Sequence, residues 1–261
     1  MTTTRSTVLI TGASNGIGRS LARVFAREGH DLVVTARHTE PLETLKQELT
    51  SAFKVQIHTA TADLAAPDGA ARLRDELERA GIAIDILVNN AGVGVFGDFT
   101  TTDLAEELRL IQLNVSSLVA LTKYYLPGMV ARRRGRILHV ASIAAFLPGP
   151  HMSIYYASKA FVLSFSVATA DEVRDTGVTI SVLCPGPTTS GFQATAKMGR
   201  SRLAQRTMMD PDTVADAGYR GVMRGTRVII PGYTNRMVPV ITRLLPRGLV
   251  TIISRRKAAV A

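Results

Sequence analysis

The stretch Thr7-Val8-Leu9-Ile10-Thr11-Gly12-Ala13-Ser14-Asn15-Gly16-Ile17-Gly18 decides how the rest of the chain is read. A short β-prone run without polar alternation enters a glycine-rich turn, and Gly16–Arg27 follows with apolar residues at helical spacing. Such a strand-turn-helix exposes backbone N–H groups with the positive end of the helix dipole behind them. A pyrophosphate fits that geometry, and side chains would block its approach. The spacing here, Gly-x3-Gly-x-Gly, differs from the Gly-x-Gly-x2-Gly of the general dinucleotide fingerprint. Taken alone, the turn is suggestive only, and a plain strand-to-helix connection is the alternative.

The same alternation continues outward. Asp31–Ala36, Val55–Thr59, Ile84–Asn89, Arg136–Ala141, Thr179–Leu183 and Arg227–Pro231 are short, branched and apolar, as strands covered on both faces would be. Between them, Pro41–Thr50, Pro67–Ala80, Asp103–Leu126 and Ile154–Thr176 carry helical periodicity, and Asp103 with Glu106 forms a capping pattern. Seven strands alternating with helices predict one α/β domain over residues 1–261: a doubly wound parallel sheet of the Rossmann type, helices on both faces.

Composition bounds the function without naming it. The 261 residues hold 31 Lys+Arg against 21 Asp+Glu, a net +10, with 46% hydrophobic residues and 20% charged; this excludes a disordered chain. One cysteine excludes a disulfide framework and a zinc site built on cysteine pairs. The apolar run after Met1–Ser6 is too short for a signal-peptide core, which predicts a cytoplasmic chain. Ile137–Ser158 lacks charge but is interrupted by Pro148-Gly149-Pro150, two histidines and serines, so strand, loop and helix start explain it better than a membrane span. Met237–Ile253 is apolar but broken by Pro239, Arg243, Pro246, Arg247 and Gly248. With Arg255-Arg256-Lys257 behind it, it reads first as a packed extension with a solvated basic tail, and second as a segment lying on an anionic membrane.

The end of the second strand bears on coenzyme choice. In nicotinamide-binding folds a carboxylate there bonds the ribose 2′-hydroxyl, whereas an arginine accommodates a 2′-phosphate. Thr35-Ala36-Arg37-His38 offers a guanidinium and no carboxylate, which favours NADP(H) over NAD(H). Farther on stand Ser142, Tyr155 and Lys159. The last two, at i and i+4 near a helix start, share a face. A phenol with pKa near ~10 is a poor acid-base group at neutral pH unless a cation lies beside it. Ser142 ends the fifth strand, where a hydroxyl can hold a substrate oxygen while charge develops on it.

Thr11–Gly18, Asn89-Asn90-Ala91-Gly92, Asn114, Ser142, Tyr155-x3-Lys159 and Pro185-Gly186 resemble, in order and spacing, the motifs of the short-chain dehydrogenase/reductase family. The resemblance covers Ser6 to Pro231 and implies stepwise hydride and proton transfer between a carbonyl and an alcohol. It implies that Tyr155 is the acid-base group, that Lys159 lowers its pKa and holds the nicotinamide ribose, that Ser142 orients the carbonyl and that Asn114 holds a relay water. Coenzyme contacts are implied at Gly12, Ser14, Asn15, Gly16, Ile17 and Gly18, at Asp63-Leu64 beside adenine, at Asn90-Ala91-Gly92, and at Pro185, Gly186 and Thr189 around the carboxamide. Tyr156 is the rival phenol, but both family spacings prefer Tyr155. Thr188 stands where a branched aliphatic residue is common, and only its backbone is expected to matter.

The resemblance also implies a substrate lid at residues 187–210, ahead of a C-terminal extension at 232–261. In the segment Phe192 to Met209, Met198, Met208 and Met209 would suit a bulky apolar ligand, with an acidic group near Lys197, Arg200, Arg202 and Arg206; a plain pair of surface helices is the alternative. Phe96, Phe146, Leu147 and Met152 are candidate lining residues for a hydrophobic ketone or aldehyde. Apolar residues surround most of the helices around Leu108–Leu121 and Ala160–Ala168, which predicts a homodimer or homotetramer interface there. Cys184, His139 and His58 read as structural, without ligand spacing for a metal. The run Arg132-Arg133-Arg134 reads as a solvated loop, with an acidic surface or nucleic acid as the sharper alternative. The reading is an NADP(H)-dependent oxidoreductase of small molecules; a non-catalytic NADP(H) sensor or membrane-surface protein on the same fold is the competing class.

Overall fold

The computed structural model describes residues 5–189 and 208–258. Seven strands, β1 (Thr7–Thr11), β2 (Asp31–Ala36), β3 (Ile57–Thr61), β4 (Ile86–Asn89), β5 (Gly135–Val140), β6 (Val178–Leu183) and β7 (Val228–Ile229), form one parallel sheet. Its order is β3-β2-β1-β4-β5-β6-β7. Helices α1 (Gly16–Arg27), α2 (Thr39–Phe53), α3 (Gly69–Arg79), α4 (Leu104–Ile111), α5 (Ser117–Ala131), α6 (Ser153–Glu172) and α7 (Pro211–Met223) surround it, and α8 (Tyr233–Leu244) and α9 (Arg247–Ala258) follow. The expected doubly wound α/β sheet is therefore what forms.

Alternation along β1 shows why its residues are all apolar. Val8 and Ile10 pack with Leu21 and Phe25 of α1 and Leu42 and Leu45 of α2. Leu9 faces the other way, with Leu73 and Leu77 of α3 and Leu121 of α5. Both faces are covered, so neither can carry polar residues. After β3 the chain crosses to the far side of β1 to lay down β4, so the strand order reverses between β1 and β4. A crevice opens there, outside the carboxyl ends of the strands.

Local geometry shifts several expected boundaries. The periodicity over Asp103–Leu126 predicted one helix. Instead a π turn, Gln112–Ser116, separates α4 from α5, and α5 continues past Pro127 to Ala131. Asp103 caps α4 as its pattern implied, its Oδ1 accepting from the Ala105 and Glu106 N–H groups at 2.7 and 3.0 Å. Helix α2 runs on to Phe53 and ends at a left-handed Lys54, which delays β3 by two residues. Ile137–Ser158 resolves into strand, 3-10 turn (Ile143–Phe146) and helix start. Among the described residues no helix is long and apolar enough to cross a membrane. The C-terminal extension packs on the body through α8, which lies on the Ile143–Phe146 turn without fully burying a residue, and through α9, where Val250 and Ser254 are buried.

Candidate active site

The turn after β1 is locked from three sides. Gly12 and Ala13 donate their N–H groups to the Thr35 carbonyl of β2 at 2.8 and 3.2 Å. The Thr11 hydroxyl accepts the N–H groups of Asn90 and Ala91 at 2.9 and 3.0 Å. The Asn90 amide donates to the Thr11 and Gly12 carbonyls at 2.8 and 3.2 Å, so it braces the turn. Thr11, to which the sequence reading gave no role of its own, is thus the hinge pin between β1 and β4. Its hydroxyl, inside the motif, was the only signal. Gly12 and Gly16 have φ of +67° and +52°, which side chains disfavour. Asn15 precedes α1 without capping it, so no capping side chain serves the first turn over Gly16, Ile17 and Gly18. A glycine turn of this shape, uncapped at a helix N-terminus, fits a pyrophosphate. Ile17 packs on the core beneath, and Ser14 is half-buried.

Arg37 lies exposed just past β2, where Ala36 pairs in register with Thr61. Asp63 follows two residues beyond Thr61, and its Oδ2 accepts from Arg109 at 2.6 Å. Burial pushes the Asp63 carboxyl up, but the Arg109 guanidinium, the Ala65 N–H and the charge of Arg37 pull it below its usual range. The neighbouring Leu64 is buried in the core, and its carbonyl accepts from the Ser117 hydroxyl.

The structure brings Ser142 beside Tyr155, and Lys159 follows one turn later on the same helix. Ser142 lies two residues past β5 and caps the 3-10 turn, its Oγ accepting from the Ala144 N–H at 3.1 Å. Its hydroxyl stands beside the Tyr155 phenol and pulls the phenol's pKa down. Lys159, one turn along α6, is buried; its Nζ donates to the Val140 carbonyl at 3.0 Å and lies 5.8 Å from the centre of the Tyr155 ring. Tyr156 does not compete: its ring covers Gly149, where a Cβ would sit 2.2 Å from a ring carbon. The electrostatics differ from the expectation of an acidified phenol. Desolvation pushes Tyr155 up to about 12, against the pull of Ser142, and pushes Lys159 down to about 8. Apolar surroundings outweigh an ammonium already held by a carbonyl.

Asn114 sits in the π turn, almost wholly buried. Its Oδ1 accepts from the Val93 N–H at 3.0 Å, and its Nδ2 donates to the Val93 carbonyl at 3.0 Å and to Ser158 Oγ at 3.1 Å. Ser158 Oγ in turn donates to the Tyr155 carbonyl at 2.7 Å. The amide thus ties the loop after β4 to the start of α6, a positioning task that the sequence reading did not foresee. Gly92 separates the two: a Cβ there would lie 3.2 Å from Asn114 Oδ1 and 3.3 Å from Lys159 Nζ.

The loop after β6 closes the far side. The Pro185 carbonyl accepts from the Ile143 N–H at 2.9 Å, and Gly186 lies against the Asn235 side chain. The Thr188 hydroxyl donates to the Gly186 carbonyl at 2.9 Å, so more than its backbone matters. Thr189 donates its N–H to the Met209 carbonyl at 3.0 Å, and Met209 donates to the Pro187 carbonyl at 2.7 Å. Phe192, Lys197, Met198, Arg200, Arg202 and Arg206 lie outside the described residues. On the substrate side, Gly97 donates its N–H to the His151 carbonyl at 2.9 Å, joining the Phe96 loop to the segment that carries buried Met152. Phe146 packs toward Val162, Val182 and Cys184.

The weaker signals resolve as structural. Cys184 is buried, and desolvation pushes its thiol up to about 12. His139 is fully buried between the Thr122 and Ser166 hydroxyls, at 3.1 and 2.8 Å, and burial holds it neutral, down at about 3. His58 lies on β3 near Glu76. Arg134 pairs with Asp85 at 3.1 Å and Arg132 donates to the Ile84 carbonyl, so this basic run anchors to the opposite, amino end of the sheet.

The family model for short chain dehydrogenase matches residues 6–200. The chain is 38% identical over 179 residues to 17-beta-hydroxysteroid dehydrogenase type 3 of Mus musculus, covering 68% of this chain and 58% of that longer protein. A short-chain dehydrogenase from Sphingobium yanoikuyae, solved in complex with NADPH, superposes with TM-score 0.83 at 33% identity over 94% of both chains. A short-chain dehydrogenase/reductase from Burkholderia phymatum, solved with NAD, superposes with TM-score 0.80 at 25% identity over 92% of both. The chain belongs to the short-chain dehydrogenase/reductase family, oxidoreductases that interconvert alcohols and carbonyls with a nicotinamide coenzyme.

Proposed function

We propose that the protein is an NADP(H)-dependent carbonyl reductase or alcohol dehydrogenase acting on hydrophobic ketones or aldehydes, with Tyr155 as its acid-base group. The observation that carries this reading is the Ser142 hydroxyl beside the Tyr155 phenol, with the buried Lys159 ammonium 5.8 Å from the centre of that ring. The backbone of Gly12–Gly18 would hold the pyrophosphate, and Asp63 with Leu64 would flank adenine. Arg37, with no carboxylate beside it on β2, would take the 2′-phosphate. Pro185, Gly186 and Thr189 would hold the carboxamide, and Asn90, Ala91 and Gly92 would line the adenosine side. A bound NADPH supplies the hydride.

A phenol pushed up to about 12 keeps its proton at neutral pH, the state that reduction requires. The Ser142 hydroxyl donates to the substrate oxygen as negative charge builds there. Tyr155 Oη then gives its proton to that oxygen. Lys159, whose Nζ lies 5.8 Å from the centre of the Tyr155 ring, offsets the phenolate charge left behind. Asn114 holds α6 and the loop after β4 in register for this transfer. The π turn beside it, where Ser117 bonds Gln112, loosens the main-chain ladder and would seat the relay water.

Phe96, Phe146, Leu147 and Met152 favour an apolar substrate, and residues 187–210 would close over it. Exposed Leu104, Leu108 and Phe161 on α4 and α6 favour pairing of copies through those helices. The test is NADPH consumption across a panel of carbonyl compounds. Hydrophobic ketones and aldehydes should react, and Tyr155→Phe should lower kcat by at least about a hundredfold while leaving coenzyme affinity within a few-fold. Reduction confined to small polar sugars, or full activity in Tyr155→Phe, would overturn the proposal.

A further inference from the structure

Helix α8 is built unlike the other helices described. Tyr233, Met237, Val240, Ile241 and Leu244 recur at i, i+4, i+7, i+8 and i+11, which places all five on one face. A packed helix buries such a face; here Tyr233 is 82% and Leu244 78% exposed, and the other three are more than two-fifths exposed. Leu249 and Ile252 extend the apolar surface onto α9. The opposite side of α8 rests on the Ile143–Phe146 turn, and Asn235 donates to the Pro231 carbonyl at 2.8 Å. The orientation is therefore set by the body of the protein, and the stripe faces outward.

Charge narrows the choice of occupant. After Asp216 the sequence has no Asp or Glu and nine Lys or Arg, from Arg220 to Lys257. Arg236 and Arg243 flank the stripe on one side of α8, and Arg247 opens α9. A second copy docked through the same patch would set cations against cations, because a two-fold interface is self-complementary. Duplex nucleic acid would neutralise the cations but has no use for a row of exposed Tyr, Met, Val, Ile and Leu. Anionic lipid satisfies both features at once, with the apolar face in the acyl boundary and the arginines at the headgroups.

We infer that α8 and α9 form a docking surface for an anionic lipid bilayer, on which the protein lies without crossing it. Because α8 abuts the 3-10 turn after Ser142, and Asn235 touches Gly186, docking sets the substrate side of the crevice next to the lipid. The inference is independent of the proposed chemistry.

The experiment is co-sedimentation of the full chain with phosphatidylcholine vesicles prepared with and without phosphatidylglycerol. Wild type should bind the anionic vesicles alone and release as salt rises. Val240→Asp with Leu244→Glu should weaken binding at least about tenfold, and Arg243→Gln with Arg247→Gln by about tenfold or more, with unchanged Tm and circular dichroism. Tyr155→Phe should bind like wild type, which separates docking from catalysis. Absence of binding, or equal binding to neutral vesicles, would overturn the inference. So would loss of a solution dimer in Val240→Asp/Leu244→Glu by light scattering, or duplex DNA binding that survives that variant and outcompetes vesicles.

Discussion

Replacing Gly18 by alanine sets two rules against each other, and the structure decides the sign. Gly18 sits in the first turn of α1 at an ordinary helical φ, so helix propensity alone favours alanine by about 1 kcal/mol. A Cβ there, however, would lie 2.2 Å from the Gly12 carbonyl oxygen and 2.4 Å from Asn90 Nδ2. Ordinary contact needs roughly 1 Å more. Neither neighbour can yield freely, because the Asn90 amide donates to both the Thr11 and Gly12 carbonyls. Overpacking costs about 1–3 kcal/mol, and each disturbed hydrogen bond about 1 kcal/mol more. The net expectation is a loss of about 2 kcal/mol, or a Tm lower by about 4–8 °C for a chain of this size. Lifting α1 from the turn also moves the pyrophosphate donors by about 1 Å, which should weaken NADPH binding about tenfold to a hundredfold. Thermal unfolding and calorimetric titration with NADPH read both effects. Gly128→Ala in α5 is the control, since its Cβ would meet nothing closer than 3.5 Å; it should leave both quantities unchanged or raise Tm slightly. If Gly18→Ala is as stable as Gly128→Ala and binds NADPH like wild type, the reasoning about the turn is wrong.

Two further outcomes are expected. Arg37→Ser should lower kcat/KM with NADPH by about tenfold to a hundredfold, the worth of a charged hydrogen bond, and barely change it with NADH; equal losses with both coenzymes would remove Arg37 from the 2′-phosphate. His139 is held near 3 in the folded protein against an ordinary 6.5, so the unfolded chain binds its proton more readily. Its contribution to stability is complete above about pH 6.5 and declines as pH falls toward about 3, by roughly 2 kcal/mol at pH 5. His139→Leu should flatten that limb in urea unfolding followed against pH, and an unchanged slope would refute the assignment.

Much of the site was legible because its parts are local. The glycine turn, the Tyr155–Lys159 face and the Asp103 cap each lie within one short segment, where spacing alone fixes geometry. Partners distant in sequence were not legible. Nothing near Asn90 indicates that its amide braces Thr11 across 79 residues, nor that Asn114 is tied to Val93 and Ser158. The phenol of Tyr155 shows the same limit. Residue identity announced a cation one turn away, but the sign of the pKa shift depends on how much apolar protein surrounds the hydroxyl.

The sequence by itself determined the alternation of apolar strands and amphipathic helices, hence a covered parallel sheet, and the order of the motifs along its carboxyl edge. Those follow from short, branched apolar runs without polar alternation and from a helical period of 3.6 residues, which need no knowledge of neighbours. Only the tertiary structure decided that Ser142 stands beside Tyr155 and that Lys159 donates a hydrogen bond to the Val140 carbonyl. It alone decided that the α8 stripe, which any amphipathic helix would turn inward, faces out. Hydrogen bonding and desolvation act over a few ångströms of space, and folding, not chain order, sets which atoms share that space.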